Sequence, residues 1–164
     1  MVGRTIDAVK WLLDQERDKE WEVKPYRKAR TNRQNAYYWQ LLTQLADCMR
    51  MSKAEAHNQM LRDYGQLYMI DGQPVEVMVP DTEAGERSAL RSETYHLRPT
   101  SKIAGGRGCR IYFLLRGSHE YNTAEMSYLV DGLVQEAKQL GIETLTPDEL
   151  EKLRMYDRRK ENDK

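Results

Sequence analysis

The chain has 164 residues, 40% of them hydrophobic, which is enough for one domain with a sizeable core. Charged residues make up 32% of the sequence, and no apolar run approaches the roughly 20 residues that a membrane-spanning helix needs. The 26 basic and 26 acidic residues cancel, which excludes a uniformly basic surface, so any site for nucleic acid must be local.

The two cysteines, Cys48 and Cys109, are not spaced like a disulfide framework or a metal site. Two reduced cysteines are typical of proteins in a reducing compartment. The first residues lack the apolar block of a signal peptide, because Asp7 and Lys10 interrupt it. These features predict a cytoplasmic protein.

The basic residues are concentrated in two windows that contain no acid. The first window lies between Glu22 and Asp47, and the second lies between Glu93 and Glu120. They contain Lys24, Arg27, Lys28, Arg30 and Arg33, and then Arg98, Lys102, Arg107, Arg110 and Arg116. A local patch of this kind can attract polyanions in a neutral protein, because salt screens distant acids over about 8–10 Å.

Helical spacing of apolar residues predicts a first helix over residues 5–15, and alternation predicts a short strand over residues 21–28. Pro25 places that strand at a sheet edge, because proline cannot donate a hydrogen bond to a neighbouring strand. Asn32 is a suitable N-cap for a longer helix over residues 33–49, whose apolar residues recur at helical spacing.

Ser52 and Glu55 match the capping box of a second helix, which Gly65 can end. Residues 66–80 change to the alternating pattern of a hairpin, with a loose turn at Asp71-Gly72. The chain is therefore predicted to pass from helices to strands near its middle.

Residues 81–91 are polar and indicate a loop or a short helix. Strands are predicted over residues 94–99 and 109–116. Residues 110–115 are the most apolar stretch of the sequence, so we expect them to form the central strand of the sheet.

Thr123 is the predicted N-cap of a long helix, and Gly141 with Ile142 matches a Schellman motif at its end. The apolar stripe of this helix consists of Met126, Val130, Leu133, Ala137 and Leu140. Its 4-3-4-3 spacing is typical of a core helix and also of a dimer seam, and Gly132 allows close approach in either case.

Thr146, Pro147 and Glu149 match the cap, the first-turn proline and the capping box of a terminal helix. No repeat or linker divides the sequence. We therefore predict a single α+β domain over residues 1–156, with a small mixed or antiparallel sheet packed against several helices. Residues 157–164 are predicted to form a solvated C-terminal tail.

The segment from Arg27 to Trp39 combines three features that suit nucleic acid. Its arginines can each hold two phosphate oxygens, and it leads into a helix N-terminus, which favours anions. Its aromatic rings can stack on unpaired bases. If Tyr38 faces the core, helical geometry places Tyr37 beside Arg33, which makes Tyr37 the predicted stacking ring and Trp39 a boundary residue.

The same segment carries a motif of a known family. It contains Arg30-Thr31-Asn32-Arg33-Gln34-Asn35, followed by aromatic residues and Leu41-Leu42. This run resembles the Arg-Ser-x-x-Gln-Asn…Trp signature of phage NinB proteins, the lambda Orf recombination mediators. The order of helices and strands also matches over nearly the whole chain, most weakly from Gln66 to Gly108.

The resemblance implies a homodimeric α/β protein of the host-cell cytoplasm that binds single-stranded DNA without strong sequence preference. In that family the protein helps a recombinase displace the host single-strand-binding protein, so both are candidate partners. We expect no cofactor, no metal and no membrane partner. From the residues alone, Gln34 and Asn35 could instead satisfy the turn beside an exposed basic loop.

The second basic window contains Gly105-Gly106-Arg107-Gly108, which is too short for a P-loop and lacks its Lys-Ser/Thr pair. A flexible hairpin here could carry cations to a phosphate backbone, or it could be a β-turn with solvated arginines. The predicted DNA contacts are Arg27, Lys28, Arg30, Arg33, Gln34, Asn35, Tyr37, Lys102, Arg107 and Arg110.

The chain has three histidines. His57 lies on an apolar helical stripe and is expected to be a core histidine with a hydrogen-bond partner. His96, His119 and Glu120 could instead build a metal-dependent nuclease, although no His-Asn-His series or Cys-x-x-Cys pair accompanies them. The first alternative to DNA binding is therefore this nuclease, and the second is a protein–protein adaptor that uses the acidic terminal helices.

Overall fold

The structure, a computed structural model, describes residues 32–104 and 108–162, together with residues 10, 13 and 14. Side chains in the two long ranges are described from residue 33 to residue 157. The predicted strand over residues 21–28 lies outside the described residues, as does nearly all of the predicted helix over residues 5–15. No helix of the described part is long and apolar enough to cross a membrane.

The described residues form an α+β domain, as predicted. Its helices are α1 (Asn32–Met49), α2 (Lys53–Tyr64), α3 (Glu83–Arg91), α4 (Thr123–Gln139) and α5 (Pro147–Asn162), with a one-turn 3-10 helix at Ser118–Glu120. Residues 83–91 are therefore helical, which resolves the choice between a loop and a short helix for this region.

The capping signals of two helices are confirmed. Ser52 Oγ accepts a hydrogen bond from Glu55 N at 3.2 Å, and a Glu55 carboxylate oxygen accepts one from Ser52 N at 2.9 Å. Thr146 and Glu149 make the same reciprocal pair at the start of α5. Each pair satisfies backbone donors that the first turn of a helix leaves free.

The ends of α4 were predicted to within one residue. The N-cap is Asn122 and not Thr123, because the Asn122 side chain accepts from Glu125 N at 2.9 Å. Thr123 is the first residue of the helix. The Schellman motif is confirmed, since Gly141 has φ 71° and Ile142 N donates back into the last turn of α4 at 2.9 Å.

The strands form two small antiparallel sheets. They are β1 (Met69–Ile70), β2 (Gln73–Pro74), β3 (Glu76–Pro80), β4 (His96–Ala104) and β5 (Cys109–Leu115). β1 pairs with β2, and the other sheet has the order β3-β5-β4, which confirms the predicted central strand. The β1–β2 turn is tight and not loose, because Asp71 and Gly72 have the positive φ values, 48° and 75°, of a type I′ turn.

The larger core lies between α1, α2 and α4. The α4 stripe that was consistent with a core helix or a dimer seam is buried within the chain. Met126, Val130, Leu133 and Ala137 are at most 2% exposed, and Leu140, at 43%, lies outside this core. A homodimer would therefore have to use another surface.

A smaller core joins α3 to one face of the sheet. It consists of Val79, Ala89, Leu97 and Tyr112. Helix α2 connects this core to the larger one, because Arg62 donates from Nε to Leu97 O at 2.8 Å and pairs with Glu86 of α3 at 2.5 Å.

The terminal helix continues past the predicted boundary of the domain. α5 runs to Asn162 and Asp157 is fully buried, so the prediction of a solvated tail from residue 157 is wrong at that residue. Asp157 Oδ2 accepts from Gln34 N, in the first turn of α1, at 3.3 Å. A carboxylate at this place stabilises α1, because it faces the positive end of the helix dipole.

Gly132 lets α4 approach α2 closely. A Cβ atom at this position would lie 2.4 Å from the Tyr64 ring. Ala improves helix propensity by up to about 1 kcal/mol over Gly, but overpacking of a core typically costs about 1–3 kcal/mol. We predict that Gly132→Ala lowers the free energy of unfolding, measured by urea denaturation.

The matched control is the same change in a Tyr64→Ala background. With the ring removed, Gly132→Ala should become neutral or stabilising, since only the propensity gain remains. An equal loss of stability in both backgrounds would contradict the proposed clash.

Candidate nucleic-acid interface

The first basic window is only partly described. Arg27, Lys28 and Arg30 lie outside the described residues, and Arg33 is exposed at the start of α1. The Arg33 guanidinium lies over the Tyr156 ring of α5, 3.6 Å from its centroid, in a cation–π contact. Arg33 therefore keeps a solvent-facing position where a phosphate can reach it.

Gln34 does not have the exposed position that was predicted. Its side chain is 1% exposed, and its Oε1 accepts from Ser127 Oγ of α4 at 3.1 Å. This burial does not favour Gln34 as a DNA contact, and the residue joins α1 to α4 and α5. Asn35 is half-buried beside it.

Tyr37 is also held within the chain. It is half-buried against the larger core, and its hydroxyl accepts from Leu145 N at 3.1 Å, in the segment before α5. Burial, the largest cause, raises the pKa of the Tyr37 hydroxyl. The prediction of Tyr37 as a free stacking ring is therefore not supported, whereas the ring of Trp39 is 37% exposed.

The second basic window is paired with acids from other strands and loops. Lys102 Nζ lies 2.9 Å from Glu76 Oε1, and Arg110 Nε lies 2.9 Å from Asp81 Oδ1. Arg107 lies outside the described residues. The predicted phosphate-binding hairpin is therefore largely neutralised, although exposed pairs of this kind are worth only about 0–1 kcal/mol and can open.

The three histidines lie together, which the sequence did not predict for His57. The rings of His57 and His96 are 5.3 Å apart between centroids and nearly perpendicular. A Cβ atom built on Gly117 would lie 2.6 Å from both Cε1 and Nδ1 of His119 and 3.7 Å from His96 Nε2, so the His119 ring packs directly against Gly117 and the His96 ring lies near it.

An open cavity of about 260 Å³ lies beside these rings. We call it the histidine cleft, and it is lined by Trp39, Lys53, Ala54, His57, Ser92, Glu93 and His96. Lys53 and Ala54 are the first residues of α2, so the cleft lies beside the start of that helix. Trp39 stands against His57, with ring centroids 4.8 Å apart.

His57 is the core histidine that the sequence predicted. It is 7% exposed, and its Nδ1 lies 2.8 Å from the buried Tyr38 hydroxyl. Burial, and secondly the charge of His96, lower the pKa of His57 to about 3. His57 is therefore a neutral wall of the cleft at physiological pH.

The tautomer of His96 follows from its partner. Asn58 Nδ2 donates to Leu90 O and to Ser92 O, both at 2.7 Å, which fixes the orientation of the amide. Asn58 Oδ1 must then accept, and it lies 2.5 Å from His96 Nδ1. Neutral His96 therefore carries its hydrogen on Nδ1 and presents the lone pair of Nε2 towards Gly117.

The geometry does not provide a set of metal ligands for the nuclease that the sequence offered as an alternative. His119 Nε2 lies 3.7 Å from Glu120 Oε1, and His96 is nearby. Even so, residues 32–104 and 108–157 contain no group of three or more His, Cys, Asp or Glu side chains placed to hold one metal ion. The predicted trio therefore has no metal-binding arrangement within the described part of the chain.

Sequence reasoning missed Trp39, Lys53 and His57 as members of one site. They come from two helices that meet only through tertiary packing, and no motif marks them. The one local signal is the i, i+4 spacing of Lys53 and His57, which places both on one face of α2.

No family model, no curated protein and no solved structure matches this chain. The resemblance to NinB proteins therefore still rests on the motif around Gln34-Asn35 and on the order of helices and strands. In the structure Gln34 has a packing role, so this part of the motif positions α1 instead of contacting a ligand.

The depressed pKa of His57 predicts a pH dependence of stability. The unfolded chain takes up a proton at His57 as the pH falls through 6.5, while the folded chain does so only near 3. The stability contributed by neutral His57 is thus complete above pH 6.5 and is lost as the pH falls from there towards 3. The loss of stability caused by His57→Gln should therefore shrink by about 1.4 kcal/mol between pH 7.5 and 5.5, measured by urea denaturation.

Leu45→Ala is the control, because it removes buried apolar atoms without removing a titratable group. Its effect on the free energy of unfolding should be the same at both pH values. A His57→Gln effect that is equally constant would show that His57 is not kept neutral by burial.

Proposed function

We propose that the chain is a phage-type recombination accessory protein of the host-cell cytoplasm that binds single-stranded DNA without strong sequence preference. In this proposal it acts as a homodimer and assists a recombinase against the host single-strand-binding protein. The observation that carries the proposal is that Trp39, 37% exposed, lines the histidine cleft together with Lys53.

Trp39 replaces Tyr37 as the stacking ring of the proposal. An exposed indole face accepts any base, because every base has a π-face, and such stacking is worth about 1–3 kcal/mol per base. This kind of contact gives affinity without reading sequence. A phosphate next to the stacked base would be attracted by the positive charge of Lys53.

The first basic window leads into the helix that carries Trp39. Trp39 lies seven residues after Asn32, which is about 10 Å along α1 at 1.5 Å per residue. Exposed Arg33 lies in the first turn of α1, on a different flank of the helix from Trp39, and Arg27, Lys28 and Arg30 precede it in the sequence. A single strand that stacks on Trp39 could be held by these cations through its backbone.

We predict that Trp39→Ala weakens binding of a fluorescein-labelled oligothymidylate by about 5- to 150-fold, which corresponds to the loss of one stacked base. Trp39→Phe should retain much of the affinity, because it keeps an aromatic face. Fluorescence anisotropy measures the dissociation constants, and circular dichroism checks that the variants are folded.

The matched control is Tyr68→Ala. Tyr68 has nearly the same exposure, 38%, but lies before the β1–β2 hairpin and outside the cleft. Its replacement should leave the dissociation constant unchanged within about twofold. Equal effects of Trp39→Ala and Tyr68→Ala would refute the cleft as the binding site.

Two charge changes at the cleft should act in opposite directions. Lys53→Gln should weaken binding several-fold and reduce the slope of log affinity against log salt by about 0.7, since one phosphate contact is lost. Glu93→Gln should tighten binding by about two- to fivefold, because it removes a carboxylate that repels phosphate. A salt titration of both variants, with Tyr68→Ala beside them, measures these effects.

If both changes at the cleft leave affinity and salt slope unaltered, a single strand does not occupy it. Binding that persists under those conditions would have to come from another surface. If the parent chain itself binds no oligothymidylate, the adaptor alternative is favoured.

A further inference from the structure

A second open cavity lies between the ends of α1 and α4 and one side of α2. Its volume is about 300 Å³, which is near the lower limit for sites that enclose a small molecule. We call it the methionine groove, and its apolar lining consists of Leu45, Met49, Met51, Ala56, Met60 and Leu140. The groove is thus open, mostly apolar and small enough to be filled by a few side chains.

The methionine groove is a separate surface from the histidine cleft. The two share no lining residue, although both use α2. Gln59 and Asp63 follow His57 by two and six residues, and at about 100° per residue this places them on the side of α2 away from His57. Occupation of the groove therefore does not depend on the single strand that we propose for the cleft.

The groove exposes apolar side chains that the larger core does not cover. Met49 at the end of α1 is 46% exposed and Leu140 at the end of α4 is 43% exposed, whereas Met60 belongs to the larger core. Single exposed apolar residues are ordinary, but these two line one cavity and are continuous with buried apolar side chains. The flexible thioethers of methionine adapt to the shape of a partner, which is why such surfaces are common at protein-binding sites.

The polar part of the groove is acidic. Its polar residues are Gln59, Asp63, Glu136 and Gln139, so the described lining has two carboxylates and no cation. Asp63 Oδ2 accepts from Gln59 Nε2 at 2.9 Å, and Glu136 Oε1 accepts from the Tyr64 hydroxyl at 2.8 Å. Both donors are neutral, and neither carboxylate has an ion-pair partner in the described part of the chain. Each carboxylate therefore keeps its charge and spare lone pairs for a cation from outside.

The two carboxylates lie close enough to act on one group. The hydrogen bond to Glu136, which is the largest cause, raises the pKa of the Tyr64 hydroxyl to about 12, and the charge of Asp63 on α2 adds to the effect. Asp63 and Glu136 thus place two negative charges near the same hydroxyl, although they come from different helices. A partner with several cations on one face would match this charge.

The groove is formed by helices, and this selects the form of its partner. The backbone groups of α1, α2 and α4 are used within those helices, so the groove offers no strand edge with which an extended peptide can pair. An amphipathic helix satisfies its own backbone groups and can lay its apolar face into such a groove. Helical partners of apolar grooves are therefore favoured here over extended ones.

We propose that the methionine groove binds a basic amphipathic helix of a partner protein. The apolar face of that helix covers Met49 and Leu140, and Lys or Arg side chains beside this face pair with Asp63 and Glu136. The inference gives the chain a docking surface for protein in addition to the proposed surface for DNA. It stands independently of DNA binding, because the two surfaces have no residue in common.

The test uses the full chain and a fluorescein-labelled peptide of leucine and lysine only, about 18 residues long, with leucine at helical spacing. We expect this peptide to bind, and added NaCl to weaken its binding, because salt screens the charge pairs. A peptide with glutamate in place of lysine, and another with serine in place of leucine, should each bind at least about tenfold more weakly. Fluorescence anisotropy measures the dissociation constants.

Charge and apolar contact are removed separately in the chain. Glu136→Gln and Asp63→Asn keep an acceptor oxygen for the internal hydrogen bonds and remove only the charge, so each should weaken binding by about three- to tenfold and reduce its salt dependence. Leu140→Gln should weaken binding to a similar extent. The matched controls lie outside the groove: Glu83→Gln removes an exposed acid of α3, and Met78→Gln removes an exposed methionine of β3. Both should bind the peptide as the parent chain does, and circular dichroism checks that all variants are folded.

Equal binding of the lysine and glutamate peptides would overturn the proposal, as would unchanged affinity in the Asp63→Asn/Glu136→Gln double variant or equal losses in the controls. Absence of peptide binding by the parent chain would also overturn it. A change of sedimentation on Leu140→Gln would in that case identify a second copy of the chain as the occupant. Oligothymidylate binding is measured in separate titrations of the same preparations, so failure of the docking proposal remains distinguishable from failure of the proposed function.

Discussion

The side-chain amide of Asn58 is the interaction on which the rest of the cleft depends. Asn58 is 2% exposed, and its three hydrogen bonds reach Leu90 O, Ser92 O and His96 Nδ1 at 2.5–2.7 Å. One buried group thereby holds the end of α3, the segment after it and the first residue of β4. A buried amide that lost one of these partners would cost about 1–3 kcal/mol, so the arrangement is strongly preferred. The same hydrogen bonds fix the tautomer of His96. The packing of these three segments and the protonation pattern of the His96 ring thus depend on one side chain.

Asn58 has this influence because α2 packs against α1, α3, α4 and β4. Along one helix, His57 contacts α1 through the Tyr38 hydroxyl, Arg62 contacts the sheet and α3, and Tyr64 donates to Glu136 of α4 at 2.8 Å. The two hydrophobic cores contribute most of the burial, but apolar packing specifies the relative position of the helices and the sheet only loosely. The polar contacts of α2 specify that relative position closely. Groups held on a rigid helix keep their geometry better than groups on loops, so a site built around α2 is preorganised.

Local signals in the sequence predicted local structure well and surfaces poorly. The capping box at Ser52, the Schellman glycine at Gly141 and the central strand were predictable, because each depends on neighbouring residues or on one run of apolar side chains. The second basic window was misleading, because its acids are far away in sequence. Glu76 and Asp81 come from β3 and the segment after it, and they reach Lys102 and Arg110 only when the sheet forms. The cleft was missed for the same reason, since its residues come from α1, from α2, from the segment after α3 and from the start of β4.

The first half of α1 is held in place by contacts with α5 and with the segment before it. Asp157 and Tyr156 of α5 hold the first turn through Gln34 N and the Arg33 guanidinium, and Leu145 holds the next turn through the Tyr37 hydroxyl. The residues that were predicted to contact DNA thus hold the first two turns of α1 against α5 and the segment before it. Trp39 lies on the same helix, about two turns from its start. Buried Gln34 can therefore still serve the proposed binding indirectly, because it fixes the position of the helix that presents Trp39 at the cleft.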